Sequence, residues 1–256
     1  MSGLRLNHVN VTRGPRVLVK DLCLNLRPGE VWALLGRNGA GKTSLLHGLA
    51  DLAPLAGELA LDGHNLALMH GGDRARRVGL LLQDPEAAFG IPVAEAVLAG
   101  RFPWHGAWRG PDAEDRRLAA AAMTALELDA LASRPLDRLS GGERRRVQLA
   151  ALLAQDPALW LLDEPMNHLD WRWQLEALCL LTGRAQAGRC VLIALHDLNL
   201  AERLCSHALL LNGDGSWQAG PLTEVLSEAT ASSLYGLPLA RDSGPHGAFW
   251  HPGQRR

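Results

Sequence analysis

Apolar positions along this chain fall into short, nearly continuous runs separated by segments of helical period. "VWALLG" (31–36), "RVGLLLQ" (77–83), "ALWLLDEP" (158–165), "CVLIALHD" (190–197) and "HALLLN" (207–212) read as strands buried on both faces. Residues 4–11 alternate loosely through Leu4, Leu6, Val9 and Val11, and "VLVKDLCLNL" continues that β pattern to a turn at "RPGE". "GELALDG" predicts another strand ending in a turn. Helices are predicted over "KTSLLHGLAD", the Ala/Leu-rich stretch 113–133, "GGERRRVQLAALLAQ", "WRWQLEALCLLTGRAQAG" and "LNLAERLCS". "HALLLN" and "SWQAG" predict a hairpin with "GDG" at its turn, followed by two short helices and a loose tail over 236–256. Strands alternating with helices predict an α/β fold with a largely parallel sheet.

Composition sets limits on this picture. At 47% hydrophobic and 21% charged residues, 256 residues can bury one large core or two small ones. A net charge of −1 provides no global field for nucleic acid, so no nucleic-acid partner is expected. Cys23, Cys179, Cys190 and Cys205 are widely spaced, which predicts free thiols in a reducing compartment. The first residues have no apolar signal-like core, and no apolar run reaches about 18 residues. The expectation is a cytosolic protein that can serve a membrane only from outside it.

The stretch "LLGRNGAGKTSLL" concentrates the chemistry. Gly36, Gly41, Lys42 and Thr43 fit G-x-x-x-x-G-K-[ST] between a buried strand and a helix. Glycines let successive N–H groups turn inward around phosphate oxygens, and the helix starting at Lys42 aims its positive end at them. The Lys42 ammonium can reach the β- and γ-phosphates, and the Thr43 hydroxyl can ligate Mg²⁺. "LWLLDEP" brings Asp163 and Glu164 to the C-terminal end of a buried strand, where ligands bind in parallel sheets. Asp163 is expected to hold Mg²⁺, mostly through water, and Glu164 to act as general base toward the attacking water. Gln83 and His196 end two further buried strands at the same sheet edge. Ser140, Gly141 and Gly142 open a helix and offer a second anion site.

These motifs, in this order, resemble the ATP-binding subunits of ABC transporters over about residues 4–235. "GRNGAGKT" matches Walker A, Gln83 the Q-loop, "LSGGE" the signature, "LWLLDEP" Walker B, "NHLD" the D-loop and His196 the switch histidine. The resemblance implies an ABC-type P-loop ATPase with an N-terminal antiparallel β part. It also implies a helical subdomain, about 84–155, between Walker A and Walker B. It implies catalytic roles for Glu164 and His196. Nucleotide contacts would come from Arg13, Gly36, Asn38, Gly39, Ala40, Gly41, Lys42, Thr43, Ser44, Gln83, Ser140, Gly141, Gly142 and Asp170, and Mg²⁺ contacts from Thr43, Gln83 and Asp163. Two copies would sandwich two ATP molecules head to tail, each between Lys42 of one and Ser140–Gly142 of the other.

"GRFPWHGAWRG", "NHLDW" and "HDLNLAERLC" resemble importer subunits for ferric siderophores, vitamin B12 and heme. That implies a peripheral location on the cytoplasmic face of the inner membrane. The expected partners are a polytopic permease dimer and, indirectly, an extracytoplasmic substrate-binding protein. Phe102, Trp104 and Trp108 are candidate permease contacts, or else pack within the helical subdomain. The alternatives are a soluble ABC ATPase acting on nucleic acid or ribosomes, and an exporter subunit. The chain departs from the family at Arg13, where an aromatic usually stacks on adenine, and at Met166, where threonine is common. A guanidinium can also stack on a π-face. Arg144–Arg146 is expected on the helix surface near a dimer or subdomain joint.

Overall fold

The computed structural model describes residues 3–83, 90–244 and 247–253, with 106–108 and 247 described by their backbone alone. The expected helical subdomain therefore begins on residues, 84–89, that lie outside the described ones. The side chain of Trp108 lies outside them too.

In chain order the N-terminal half comprises β1 (Leu4–Arg13), β2 (Arg16–Leu26), β3 (Val31–Leu35), α1 (Lys42–Leu49), β4 (Ala56–Leu61), β5 (His64–Asn65), α2 (Gly71–Arg77), β6 (Val78–Leu81), α3 (Val93–Ala99), α4 (Phe102–Arg109) and α5 (Ala113–Ala125). It continues with α6 (Gly141–Gln155), β7 (Leu159–Asp163), α7 (Trp171–Gln186), β8 (Cys190–Ala194), α8 (Leu198–Leu204), β9 (His207–Leu211), β10 (Trp217–Pro221), α9 (Leu222–Val225), α10 (Glu228–Tyr235), β11 (Leu239–Gly244) and β12 (Gly247–Pro252).

The central sheet runs β10-β9-β3-β8-β7-β6, parallel except where β10 returns beside β9. A second sheet, β2-β1-β4-β5, is antiparallel. The continuous apolar runs follow from burial on both faces. Val31, Ala33 and Leu35 point into one core with Trp160, Leu162, Val191 and Ile193. Trp32 and Leu34 point into the other with Leu159, Leu161, Cys190 and Leu192, facing the antiparallel sheet and α1. The first core continues through Val93, Val97, Ala119, Ala122, Met123 and Val147, so α3, α5 and α6 share it with the sheet.

The loose alternation of the first strand has a structural cause. Register shifts between Leu6 and Val9, where His8 adopts φ 52°, move the buried positions by one residue. The expected loose tail is instead ordered over much of its length. β11 and β12 pair antiparallel, and Trp250 is only 4% exposed. Trp250 N–H donates to Asn199 Oδ1 (2.7 Å) and its indole N–H to Glu202 Oε1 (3.0 Å), which fixes the hairpin to α8. The late apolar residues Phe249 and Trp250 stand among Gly, Pro and charged neighbours, so their period is too short to read from sequence.

Candidate functional site

The glycine loop follows β3 directly. Gly41 caps α1 with φ 110°, and a Cβ there would stand 2.9 Å from Leu18 Cβ. Only glycine meets both demands. Lys42 is buried, and its ammonium donates to the carbonyl of Gly36 at 2.7 Å. Burial holds its pKa below the ordinary lysine value, against the opposing pull of Glu164 and Asp163. The loop therefore presents a desolvated cation that gains from an arriving phosphate.

Thr43 hydroxyl donates to Asp163 Oδ2 at 2.6 Å, joining α1 to the end of β7. The other Asp163 oxygen, Oδ1, is buried and has no hydrogen-bond partner among the described residues. A hydroxyl, a carboxylate and an orphaned buried oxygen form a hard-oxygen donor set, which suits Mg²⁺. Gln83, also expected at the metal, is exposed and donates its amide N–H to Glu164 Oε2 at 3.2 Å.

Glu164 follows β7 in the left-handed region, φ 50°, a costly conformation for a residue with a side chain. Both carboxylate oxygens are engaged. Oε1 pairs with His196 Nε2, and Oε2 accepts from Gln83 and from Asn167 Nδ2. Its backbone N–H donates to Ala194 O at the end of β8. The carboxylate is thus held at the sheet edge by groups that follow β6 and β8 and by the turn after β7.

Arg145 explains how that turn is maintained. Its guanidinium donates to the carbonyls of Leu82 (2.6 Å), Asp163 (2.9 Å), Glu164 (2.5 Å) and Pro165 (3.2 Å). Sequence reading expected this arginine on the helix surface, but it is 3% exposed. Its neighbours differ: Arg144 donates to Leu139 O, and Arg146 to Leu126 O while lying over Trp173. Three identical letters carry no signal of which one turns inward.

A cavity of about 570 Å³ brings together Arg13, Asn38, Gly39, Gly41, Lys42, Thr43, Ser44, Gln83, Glu164 and His196. Gly36 contributes through its carbonyl to Lys42, and Ala40 lies in the same loop. Sequence reading missed Arg16 and Leu18, which line the cavity, and Asn167, which binds Glu164. Arg16 sits across the β1–β2 turn from Arg13 and donates to Gly213 O at 2.8 Å. No local motif marks it.

Ser140, Gly141, Gly142 and Asp170 do not line this cavity. Ser140 caps α6 in a reciprocal box with Glu143, whose carboxyl these hydrogen bonds hold below the ordinary range. A Cβ on Gly142 would lie 2.9 Å from His168 O, so the signature segment lies close against "NHLD". Asp170 Oδ1 accepts from Trp173 N–H and caps α7. Trp104 is half-packed, donating to Gln155 O with Arg101 over its ring, while Phe102 is 54% exposed.

The sequence model of the ABC transporter family matches residues 19–167. A hemin import ATP-binding protein of Pseudomonas entomophila is 40% identical, over 97% of this chain and 98% of its own length. A chain from the inward-facing conformation of a proposed metal-chelate type ABC transporter superposes with a TM-score of 0.85 at 26% identity, covering 100% and 99% of the two chains. The ATP-binding cassette MJ0796, in a dimeric post-hydrolysis state bound to ADP and Pi, superposes with a TM-score of 0.74 at 25% identity, covering 86% and 98%.

Proposed function

The chain belongs to the ABC transporter family as an ATP-binding, ATP-hydrolysing subunit, and on that premise we propose that it powers import of heme or a related iron chelate. The observation that carries the catalytic part is the Glu164 carboxylate, fixed by His196, Gln83 and Asn167 across a cavity from the Lys42 loop. Held there, it takes a proton from the water that attacks the γ-phosphate. Lys42 and the loop N–H groups stabilise the charge that gathers on the phosphate oxygens. His196 and Gln83 orient the carboxylate and report the γ-phosphate to the rest of the fold. Thr43 and Asp163, with Gln83 nearby, are the residues that would hold Mg²⁺, whose chemistry is to neutralise phosphate charge. Arg13 lines the same cavity, and its guanidinium would stack on the adenine in place of an aromatic ring.

The separation of the signature segment from the cavity supports a head-to-tail homodimer. Ser140, Gly141 and Gly142 then complete the partner's nucleotide site, with Asp170 at the same joint. The dimeric, ADP-bound relative supports the same reading. Work is delivered to a polytopic permease at the cytoplasmic membrane face, fed from outside by a substrate-binding protein. No helix among the described residues is long and apolar enough to cross a membrane, and the proposed coupling is peripheral. Phe102 and Trp104 are the proposed permease contacts, and the ATPase unit spans 1–235.

The test is identification of what co-purifies with the tagged chain from mildly solubilised membranes. A stoichiometric polytopic protein whose vesicles take up heme on ATP addition is the expected result. Recovery with ribosomes or nucleic acid alone would leave the ATPase standing and overturn the importer.

A further inference from the structure

We infer that His8, Asp21 and Cys23, on the outer face of the β1–β2 hairpin, form a binding site for a borderline divalent cation of the Zn²⁺ class. Among the described residues, this is where three metal-ligating side chains of mixed chemistry converge, with ligand atoms within 4.8 Å of one another. His8 Nδ1 lies 2.5 Å from Asp21 Oδ1 and 4.0 Å from Cys23 Sγ. A zinc ion bonded to a nitrogen and a sulfur at ordinary lengths separates them by roughly 3.5 Å. To seat the ion, Nδ1 and Sγ would close by roughly 0.5 Å and the Nδ1–Oδ1 pair would open by roughly 0.8 Å, with water as fourth ligand.

The backbone is built to hold these groups together. His8 and Asp21 both occupy the left-handed region, φ 52° and 54°, on adjacent strands. Strict alternation would turn His8 to the buried face with Leu4 and Leu6; the register shift before Val9 instead turns it outward beside Asp21 and Cys23, which lie two residues apart and share the exposed face of β2. Asn10 braces both departures. Its amide donates to His8 O at 2.8 Å and its carbonyl oxygen accepts from Asp21 N–H at 2.9 Å. Cys23 Sγ accepts from the His8 backbone N–H at 3.4 Å, which keeps the sulfur beside the imidazole. Preorganisation by such outer contacts is what tunes a metal site.

The donor set selects the ion. Thiolate and imidazole favour Zn²⁺ and its neighbours over Mg²⁺ or Ca²⁺, which prefer oxygen. Binding releases the Cys23 thiol proton to solvent, and no redox step is involved. The site is distinct from the Thr43–Asp163 pair, though β1 and β2 also carry Arg13 and Arg16 to the nucleotide cavity.

The experiment titrates the metal-free full chain, without nucleotide, with Co²⁺ as optical probe and then with competing Zn²⁺. The expected result is one Co²⁺ per chain, a thiolate-to-metal charge-transfer band, and its displacement by Zn²⁺. Cys23→Ser abolishes the band, and His8→Asn or Asp21→Asn weakens Zn²⁺ at least tenfold. Asparagine tolerates the left-handed backbone, so these variants keep the fold, and Mg²⁺-dependent ATP hydrolysis stays at the wild-type rate. Cys179→Ser, at the other exposed thiol, leaves the band intact. No band, a band that follows Cys179, or unchanged Zn²⁺ affinity in Cys23→Ser would overturn the site.

Discussion

Glu164 combines a left-handed backbone with a carboxylate engaged on both oxygens. An amide in its place keeps hydrogen-bonding capacity but cannot accept the proton. Glu164→Gln is therefore expected to slow hydrolysis by at least about a hundredfold while ATP-dependent dimerisation persists. Half the wild-type rate in a steady-state assay would sink the general-base role. The cysteines sort by the same residue-level physics. Burial raises the Cys190 pKa to about 11 and pushes Cys205 higher still, whereas Cys23 and Cys179 are exposed. At pH 8 the native metal-free chain should show two fast-reacting thiols, and four only after unfolding. The native state keeps the Cys190 proton while an unfolded thiol loses it near 9.0, so stability falls as pH rises from there toward about 11. Four fast thiols in the native chain would contradict the burial assignment.

At the scale of elements, two couplings stand out. Arg145 ties α6 to the ends of β6 and β7, so the helix that opens with the signature also holds the turn carrying Glu164. Arg145→Met keeps much of the volume but leaves four carbonyls without this donor, at a cost of at least about 3 kcal/mol. Urea unfolding should show a lower midpoint at unchanged slope, with hydrolysis reduced as Glu164 loosens. A wild-type midpoint would refute the coupling. The second element is the β11–β12 hairpin on α8, the helix that begins just after His196. Trp250→Ala empties a buried site, a change worth about 3–5 kcal/mol. The expected readout is rapid proteolysis within 239–252, and cleavage at the wild-type rate would show that Trp250 does not anchor the hairpin.

For the whole molecule, the decisive feature is that the two segments proposed to bind phosphate, the Lys42 loop and the Ser140 helix start, do not share a cavity. If each nucleotide lies between Lys42 of one copy and Ser140 of the other, complementation follows. Lys42→Ala and Ser140→Arg chains each fail to trap ATP alone. Mixed, their heterodimers contain one doubly damaged site and one intact site, so trapping returns at up to one nucleotide per heterodimer. A mixture no better than either variant would exclude the shared site.

Much of this protein was already decided at the level of local pattern. The runs "VWALL", "LWLL" and "CVLIA" specify buried parallel strands because only a sheet covered on both faces leaves no polar position. The glycine loop was readable because its turn is local to its own backbone, and the Asp-Glu pair because it ends a continuous apolar run. Tertiary structure alone decided that Arg145 turns inward, that Arg16 lines the cavity beside the Lys42 loop, that His8, Asp21 and Cys23 meet, and that the last strands pack on α8. Each of these depends on partners far away in sequence or on a bulge that shifts the register. Local periodicity encodes which face a residue occupies, but which distant groups wait on that face is set only when the layers close.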